Sequence, residues 1–256
     1  MSVWITGDIH GNPIRLNEDS FYEQRHFSGP KDDNILFIAG DFGLVWDAFE
    51  SRRENELLDW LESLPFTVAV VDGNHENHKR LASYPAKEWR GGKVHEIRPH
   101  VLHLLRGEIF IIENKKFFIF GGAASHDISD GIIDGNDANW KEQAEALEKA
   151  GKHRYRVDGI TWWKEELPSE EEMLNGINNL RKHNNCVDYI ITHSPPASVI
   201  ALLGHGAYKQ DKLTFYLEND IRHHTEYKKH YMGHMHVNRA MNEKDILIYE
   251  QIIRIC

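Results

Sequence analysis

Residues 3–11 read VWITGDIHG, a strand-length apolar run that ends in a loop bearing Asp8 and His10. A run this short and this apolar is typical of a strand buried on both faces. The same arrangement recurs further along the chain, where each apolar run is followed at once by Asp, Asn or His. The other runs are residues 35–39, 67–71, 189–192 and 231–232. Because α/β sheets bind ligands at the carboxyl ends of their strands, we expect the five loops to meet in space.

Helical patterns lie between these runs. Apolar residues at helical spacing predict a helix within residues 47–64, and a proline in the first turn favours another over residues 13–24. The capping box at the start of residues 169–182 predicts a third. Strands and helices that alternate in this way indicate an α/β fold with a largely parallel sheet at its start. The runs 109–112 and 117–120 flank a short turn and predict an antiparallel hairpin.

The domain organisation follows from what interrupts this pattern. No Pro-rich linker, repeat or low-complexity tract divides the chain, so we expect one domain over residues 1–256. Residues 126–185 contain no convincing buried strand and are longer than a crossover requires, which predicts an inserted helical segment or cap. Trp140, Trp162 and Trp163 would hold this segment against the body of the domain.

The composition of the chain excludes several classes of function. The chain has 30 Lys and Arg against 40 Asp and Glu, a formal charge of −10, which argues against binding to bulk nucleic acid or to anionic membranes. Cys186 and Cys256 form no motif for a disulfide framework or a zinc ribbon. The sequence shows no signal peptide and no apolar run near the roughly 20 residues of a membrane span, so we expect a cytoplasmic protein. The 17 histidines direct attention to metal binding or acid–base chemistry.

The five loops supply carboxylate, amide and imidazole groups suited to metal binding. These groups belong to Asp8, His10, Asp41, Asn74, His193, His234 and His236. They are too many for one tetrahedral zinc, but they suit two ions that share a carboxylate. Such a pair, about 4 Å apart, holds a hydroxide and clamps the oxygens of a phosphoryl group.

Each motif also has a purely structural explanation. A Gly-Asp pair at a strand end is common in turns, and a single His-x-His motif is weak evidence for a metal. Asn74 and His75, taken alone, favour an N-cap that opens a helix containing Leu81. The tetrapeptide GNHE at residues 73–76 is rarer, and the conjunction of five such loops favours a metal centre.

The motifs GDIHG, GD, GNHE, HSPP and GHMH, in this order over residues 7–236, resemble those of the calcineurin-like metallophosphoesterase superfamily. The run 121–125 and the pair 162–163 are similar to features of its small bacterial and phage members. The resemblance implies a four-layer αββα sandwich with a dinuclear metal site at the carboxyl ends of its strands. It also implies a hydrolase that acts on phosphate esters.

Carried over residue by residue, the resemblance implies a first metal held by Asp8, His10, Asp41 and His236. Asp41 would bridge to a second metal completed by Asn74, His193 and His234. His75 matches the histidine that protonates the leaving group or steadies the transition state. Mixed nitrogen and oxygen ligands are compatible with Mn, Fe, Zn or Co as the two divalent ions.

One motif departs from the protein-phosphatase branch, in which the second motif continues into Asp-Arg-Gly and its arginine binds phosphate. Here residues 42–46 read FGLVW and contain no arginine, which argues against a protein substrate. Arg154 and Arg156 could contact phosphate instead, although solvated surface cations are the simpler interpretation. His126 and His205 are candidates for the rim of the site.

The sequence thus predicts a metal-dependent phosphomonoesterase or phosphodiesterase that acts on a phosphorylated small molecule or a nucleotide. Two alternatives stay open: a nuclease that acts on nucleic-acid ends, and a scaffold that has lost catalysis. The acidic charge argues against the first of these, and the complete set of expected ligands argues against the second.

Overall fold

The computed structural model describes residues 1–204 and 211–256. Most of the strands form two large sheets. The first sheet has the spatial order 15-1-2-3-6-5-4 and consists of β1 (Ser2–Thr6), β2 (Asn34–Ala39), β3 (Thr67–Val71), β4 (Ala86–Trp89), β5 (Gly92–Arg98), β6 (Val101–Leu104) and β15 (Ile253–Arg254). The second has the order 13-14-12-11-8-7 and consists of β7 (Ile109–Ile112), β8 (Lys115–Phe120), β11 (Tyr189–Thr192), β12 (Lys229–Met232), β13 (Arg239–Ala240) and β14 (Asp245–Leu247).

Helices cover the outer faces of the two large sheets, except for α3, which packs elsewhere. They are α1 (Arg52–Ser63), α2 (His78–Ser83), α3 (Trp140–Lys149), α4 (Glu170–Lys182), α5 (Ala197–Leu203) and α6 (Lys212–Tyr216), which continues as a π-helical stretch over Leu217–Arg222. Short 3-10 turns cover Pro13–Leu16, Tyr22–His26, Lys31–Asp33 and Lys164–Glu166. No helix among these described residues has the length and apolar character needed to cross a membrane.

The strands place alternate side chains on opposite faces, and this alternation builds the layers. In β1, Val3 and Ile5 face the second sheet and pack in a core with Phe117 and Ile119 of β8. Trp4, between them, faces outward and belongs to a second core under α1. On the far side, Phe118, Phe120 and Ile190 of the second sheet pack against Leu180 of α4 and Leu213 of α6. The order helix, sheet, sheet, helix confirms the predicted αββα sandwich.

Several local predictions are confirmed. β1, β2 and β3 pair in parallel, and β7 and β8 form the antiparallel hairpin. Both residues of its turn, Glu113 and Asn114, have positive φ angles of 53° and 56°, as a tight hairpin turn with the right-handed strand twist requires. α4 begins at the expected capping box, in which Ser169 and Glu172 bond to each other's backbone N–H.

Of the two helices expected before residue 65, one is wrong and one is confirmed. The helix expected over residues 13–24 is instead two separate 3-10 turns, because Asn17 Oδ1 accepts hydrogen bonds from the N–H groups of Asp19 and Ser20 and breaks the helical path. The helix expected within residues 47–64 is confirmed as α1, which begins at Arg52, where Ser51 caps it.

The segment 126–185 differs from the predicted helical insertion in one respect. It contains α3 and α4, but it also contains β9 (Gly131–Asp134) and β10 (Tyr155–Asp158), which pair in parallel. Only one side chain in each of these strands is buried, so neither strand gave a long apolar run in the sequence. These two strands form a small core of their own with α3, whereas α4 belongs to the outer layer of the second sheet.

Candidate metal centre

The carboxyl ends of strands from both sheets meet at one edge of the sandwich. Asp8 and His10 follow β1, Asp41 follows β2, and Asn74 and His75 follow β3 in the first sheet. His193 follows β11, and His234 and His236 follow β12 in the second sheet. These side chains form two clusters, and within each cluster the ligand atoms all lie within 4.8 Å of one another. The first cluster is Asp8, His10, Asp41 and His236, and the second is Asp41, His193 and His234.

The two groups share Asp41, and its carboxylate is oriented toward both. Asp41 Oδ2 lies 3.8 Å from His10 Nδ1, and Asp41 Oδ1 lies 3.3 Å from His193 Nε2. In the first group, His236 Nε2 lies 3.1 Å from Asp8 Oδ2. A carboxylate with one oxygen toward each cluster has the arrangement of a bridging ligand.

Asn74 lies next to these clusters. Its neighbours on both sides contact Asp41: the His75 N–H donates to Asp41 Oδ1 over 2.9 Å, and a Cβ on Gly73 would lie 2.1 Å from the same oxygen. Asn74 Nδ2 donates to Ser125 Oγ at 3.4 Å. This contact fixes the amide orientation and leaves Asn74 Oδ1 buried without a hydrogen bond.

Ser125 is itself held by Glu166. Ser125 Oγ donates to Glu166 Oε2 at 2.6 Å, and the Ser125 N–H donates to Glu166 Oε1 at 2.9 Å. Burial raises the pKa of Glu166, which lies in the 3-10 turn after Trp163. The orientation of a candidate ligand in the β3 loop is therefore determined from the segment 126–185.

The orientation of His193 is also fixed by the backbone. His193 Nδ1 lies 2.9 Å from the carbonyl oxygen of Ala39, which can only accept a hydrogen bond. In the neutral imidazole the proton is therefore on Nδ1, and the lone pair of Nε2 faces Asp41. His193 Nε2 is buried and makes no hydrogen bond of good geometry.

The electrostatics of the cluster favour an added cation. Burial alone would lower the pKa of His193, but the carboxylates of Asp41 and Asp8 raise it to about 10. Burial would raise the pKa of Asp41, but His193, His75 and His234 hold it well below its usual range. The buried carboxylates therefore stabilise the protonated form of His193. A metal ion would compete with this proton for the same nitrogen.

Backbone strain is concentrated at this site. Four of the candidate ligands have positive φ angles, namely His10 at 45°, Asp41 at 47°, His234 at 66° and His236 at 49°. Residues other than glycine rarely adopt this conformation, which costs on the order of 1–3 kcal/mol for each residue. Gly40, with a φ of 95°, provides the room the cluster needs, since a Cβ there would lie 1.9 Å from His193 Nδ1.

His75 lies beside the first cluster rather than within it. Its ring is 5.0 Å from the ring of His10, and it stacks on Trp46 at 5.5 Å with an interplanar angle of 25°. Trp46 in turn meets the buried Trp163 edge to face at 5.2 Å. Burial lowers the pKa of His75, and the carboxylate of Asp41 partly offsets this effect. The structure also contradicts the N-cap interpretation of Asn74 and His75, because Asn77 caps α2.

Two buried acids in the loop after β3 were missed from the sequence, and one of them supports the site. Glu76 Oε1 accepts a hydrogen bond from the Phe42 N–H at 2.6 Å and thus braces the loop of Asp41. Asp72 accepts a hydrogen bond from Arg106 Nε at 2.9 Å. Glu76 stands in the GNHE motif and could have been found there. Arg106 follows β6, a strand that the apolar runs did not reveal.

Three side chains proposed for phosphate contact or for the rim already have partners. Arg156 Nε donates to Asp127 Oδ1 at 3.0 Å, and Arg154 Nη2 donates to the carbonyl oxygen of His126 at 2.8 Å. His126 Nε2 lies 2.7 Å from His234 Nε2 and therefore reaches the rim of the cluster. His205 lies outside the described residues.

Comparison with known proteins identifies the family to which the chain belongs. The family model described as calcineurin-like phosphoesterase matches residues 1–238, which include every candidate ligand. The chain belongs to the calcineurin-like phosphoesterase family. As a member of this family it is a metal-dependent phosphoesterase, and its Asp and His clusters could hold divalent metal.

Among curated proteins, none matches the chain. Among solved structures, a phosphopantetheinyl hydrolase from Mycobacterium tuberculosis is similar to it with 12% sequence identity and a TM-score of 0.45. The similarity covers 97% of this chain and 88% of that one.

Proposed function

We propose that this calcineurin-like phosphoesterase hydrolyses a phosphate ester of a small molecule or nucleotide at a centre of two divalent ions. One ion would be held by Asp8, His10, Asp41 and His236, and the other by Asp41, Asn74, His193 and His234. Mn, Fe, Zn and Co suit this mixture of nitrogen and oxygen ligands.

The observation that carries the proposal is a set of buried atoms that lack hydrogen-bond partners. Among the residues the structure describes, Asp8 Oδ2, Asn74 Oδ1 and His193 Nε2 are buried without a hydrogen bond. Each unsatisfied buried polar group costs about 1–3 kcal/mol, so three of them together at one site need an explanation. The two proposed cations would satisfy all three, one at Asp8 and the other at Asn74 and His193, because each of these atoms presents a lone pair.

The remaining chemistry depends on residues around the cluster. Bound divalent ions supply Lewis acidity and make water a nucleophile near neutral pH. Asp41 directs one carboxylate oxygen toward each of the two proposed ion positions. His75 lies beside the first cluster, next to His10, where it can give a proton to the leaving oxygen. Because burial lowers the pKa of His75, its protonated form is favoured on the acidic side of the ordinary histidine range.

A small substrate is favoured over a nucleic-acid strand. The chain carries a formal charge of −10, and Arg154 and Arg156 are already bonded within their own segment. A phosphorylated small molecule or nucleotide needs only the cluster and a local pocket, whereas a strand needs an extended positive surface.

The test measures metal content and activity in the same preparations. Protein reconstituted with Mn, Fe, Zn or Co should bind two ions per chain and hydrolyse p-nitrophenyl phosphate or bis-p-nitrophenyl phosphate. Asp41→Asn should lose metal and activity together, while Asp19→Asn, at an exposed acid outside the cluster, should lose neither. A stoichiometry of one ion, or an Asp41→Asn variant that keeps two, would refute the dinuclear assignment.

A further inference from the structure

A cavity of about 240 Å³ opens beside the first cluster. Its lining includes His10, Gly43, Trp46 and Arg53. It shares His10 with the candidate metal ligands, and it shares Trp46 with the stack that positions His75. The cavity therefore adjoins the place where the scissile phosphate would lie.

This cavity lies on the accessible side of the cluster. The side chain of His10 is 32% exposed, whereas the side chains of Asp8 and His193 are fully buried. His236, whose ring lies 4.9 Å from that of His10, is also exposed, so a substrate reaches the cluster from the side of these two histidines, and its part beyond the phosphate can extend into the cavity at His10. At about 240 Å³ the cavity is smaller than the roughly 300–1,000 Å³ of drug-sized sites, so it suits a short fragment.

Arg53 is the positively charged residue of this cavity, and its side chain has no bonding partner among the described residues. Within residues 1–204 and 211–256, the exposed side chain of Arg53 makes no hydrogen bond or ion pair. The neighbouring Arg52 pairs with Glu56 at 2.7 Å. Glu54, which also lines the cavity, is bonded through both carboxylate oxygens to Arg80.

The second acidic side chain in the lining, besides Glu54, is that of Asp47. It is exposed and forms no ion pair with a described residue. It follows that Arg53 alone supplies positive charge to the cavity, and Asp47 opposes ligands that carry negative charge throughout. The cavity is therefore suited to one acidic group at the Arg53 end rather than to a polyanion.

We propose that this cavity binds the leaving-group side of the substrate and that Arg53 anchors a second acidic group, a phosphate or a carboxylate, carried by that side. The inference rests on the proposed function, since it places the scissile phosphate at the cluster. It also accounts for the missing arginine of the second motif: a phosphoester with a second acidic group gains a cationic contact that residues 42–46 do not supply.

Steady-state kinetics tests the inference with substrates that differ in the second acidic group. Fructose 1,6-bisphosphate carries a second phosphate, 3-phosphoglycerate carries a carboxylate, and p-nitrophenyl phosphate carries neither. Wild-type enzyme should show a lower KM for one or both of the first two. Arg53→Ala should reduce that difference about tenfold, the effect of losing one charge-assisted hydrogen bond, and Arg53→Lys should restore part of it.

Arg52→Ala is the matched control, because it removes an adjacent arginine that does not line the cavity. It should keep the wild-type ratio of KM values. An unchanged ratio in Arg53→Ala, or an equal loss in Arg52→Ala, would overturn the inference. The substrate that loses its advantage identifies the second group as phosphate or carboxylate.

A binding measurement separates this inference from the proposed function. Calorimetric titration with 3-phosphonopropionate, which has a phosphonate and a carboxylate but no ester bond, needs no turnover. Arg53→Ala should weaken its binding about tenfold relative to that of ethylphosphonate, which has one acidic group. If wild-type protein hydrolyses no ester, the proposed function fails, and this titration still decides the role of Arg53. Equal weakening of both ligands, or of neither, would refute it.

Discussion

Replacing Arg106 with methionine removes the main partner of the buried carboxylate of Asp72. Asp72 is 1% exposed and Arg106 is 6% exposed, and Arg106 Nε donates to Asp72 Oδ2 at 2.9 Å. Arg106 Nη2 also donates to the carbonyl oxygen of Glu165 at 2.9 Å. The substitution leaves a buried charge whose remaining contacts are two histidines: His103 Nε2 lies 3.3 Å from Asp72 Oδ1, and His78 Nδ1 lies 3.8 Å from Asp72 Oδ2.

The expected loss is large for a single substitution. Breaking a buried ion pair by removing one partner costs about 3–5 kcal/mol, because the other charge stays buried and uncompensated. In a chain of this size, each 1 kcal/mol lowers Tm by about 2–4 °C, so a shift of about 6–20 °C is expected. The double variant Asp72→Asn with Arg106→Met should recover part of this loss, since no charge is then stranded.

The pH dependence gives a second signature. Burial would raise the pKa of Asp72, but Arg106 and His103 hold it well below the usual range. A depressed native pKa contributes stability above the unfolded value of about 3.9, and this contribution is lost as pH falls toward the native value. Arg106→Met should remove that contribution, so its cost should shrink as the pH becomes acidic.

Urea denaturation followed by circular dichroism at several pH values measures both effects. Arg52→Met, at an arginine with a 93% exposed side chain, is the control and should change the unfolding free energy by less than about 0.5 kcal/mol. A loss below about 1 kcal/mol for Arg106→Met, or a loss that does not shrink once the pH falls below the unfolded pKa of about 3.9, would refute the reasoning.

Four further predictions concern the centre itself. His75→Ala should lower kcat while its metal content, measured by elemental analysis, stays near two ions; loss of metal would contradict the assignment. If His75 donates a proton, the kcat of the wild-type enzyme should fall as the pH rises through the lowered pKa of His75. Gly40→Ala should abolish metal binding or destabilise the fold by more than about 1 kcal/mol, because its Cβ would lie 1.9 Å from His193 Nδ1, and a normal melting curve with full metal content would be incompatible with that contact. Ser125→Ala should weaken metal binding in a chelator competition by about 10–100-fold, as the loss of a group that orients a ligand does, whereas unchanged affinity would show that Asn74 does not need this contact. Chelation of the metals should lower Tm, since ligand at 100 times its Kd stabilises by about 2.7 kcal/mol, and a Tm that ignores EDTA would exclude tight binding.

The candidate ligands could be predicted from the sequence because they recur at the same place, the loop after a strand. Each candidate ligand directly follows a short apolar run, and parallel strands bring their carboxyl ends to one edge. Asp8 and Asp41 follow neighbouring strands of one sheet, and His193 and His234 follow neighbouring strands of the other. The division of these strands between two sheets was implied only by the family resemblance.

The residues that orient the ligands could not be found in this way. Asn74 is oriented by Ser125, which is 51 positions away, and Ser125 is held by Glu166, a further 41 positions along the chain. Neither residue lies in a periodic pattern, because each contact is created by tertiary packing. β5 escaped prediction for a related reason: its buried and exposed positions are mixed, so it produces no continuous apolar run.

The strained loops of the centre are held by each other. The carbonyl oxygen of Asp41 accepts hydrogen bonds from the N–H groups of Ile9 and His10, at 3.1 and 2.8 Å, and so joins the loop after β1 to the loop after β2. The carboxylate of Glu76, in the loop after β3, accepts from the Phe42 and Gly43 N–H groups. Because these bonds lie within the protein, they can hold left-handed residues such as His10 and Asp41 in place without a metal. Divalent ions would then bind a site whose geometry is already formed, and their binding energy need not fold the loops.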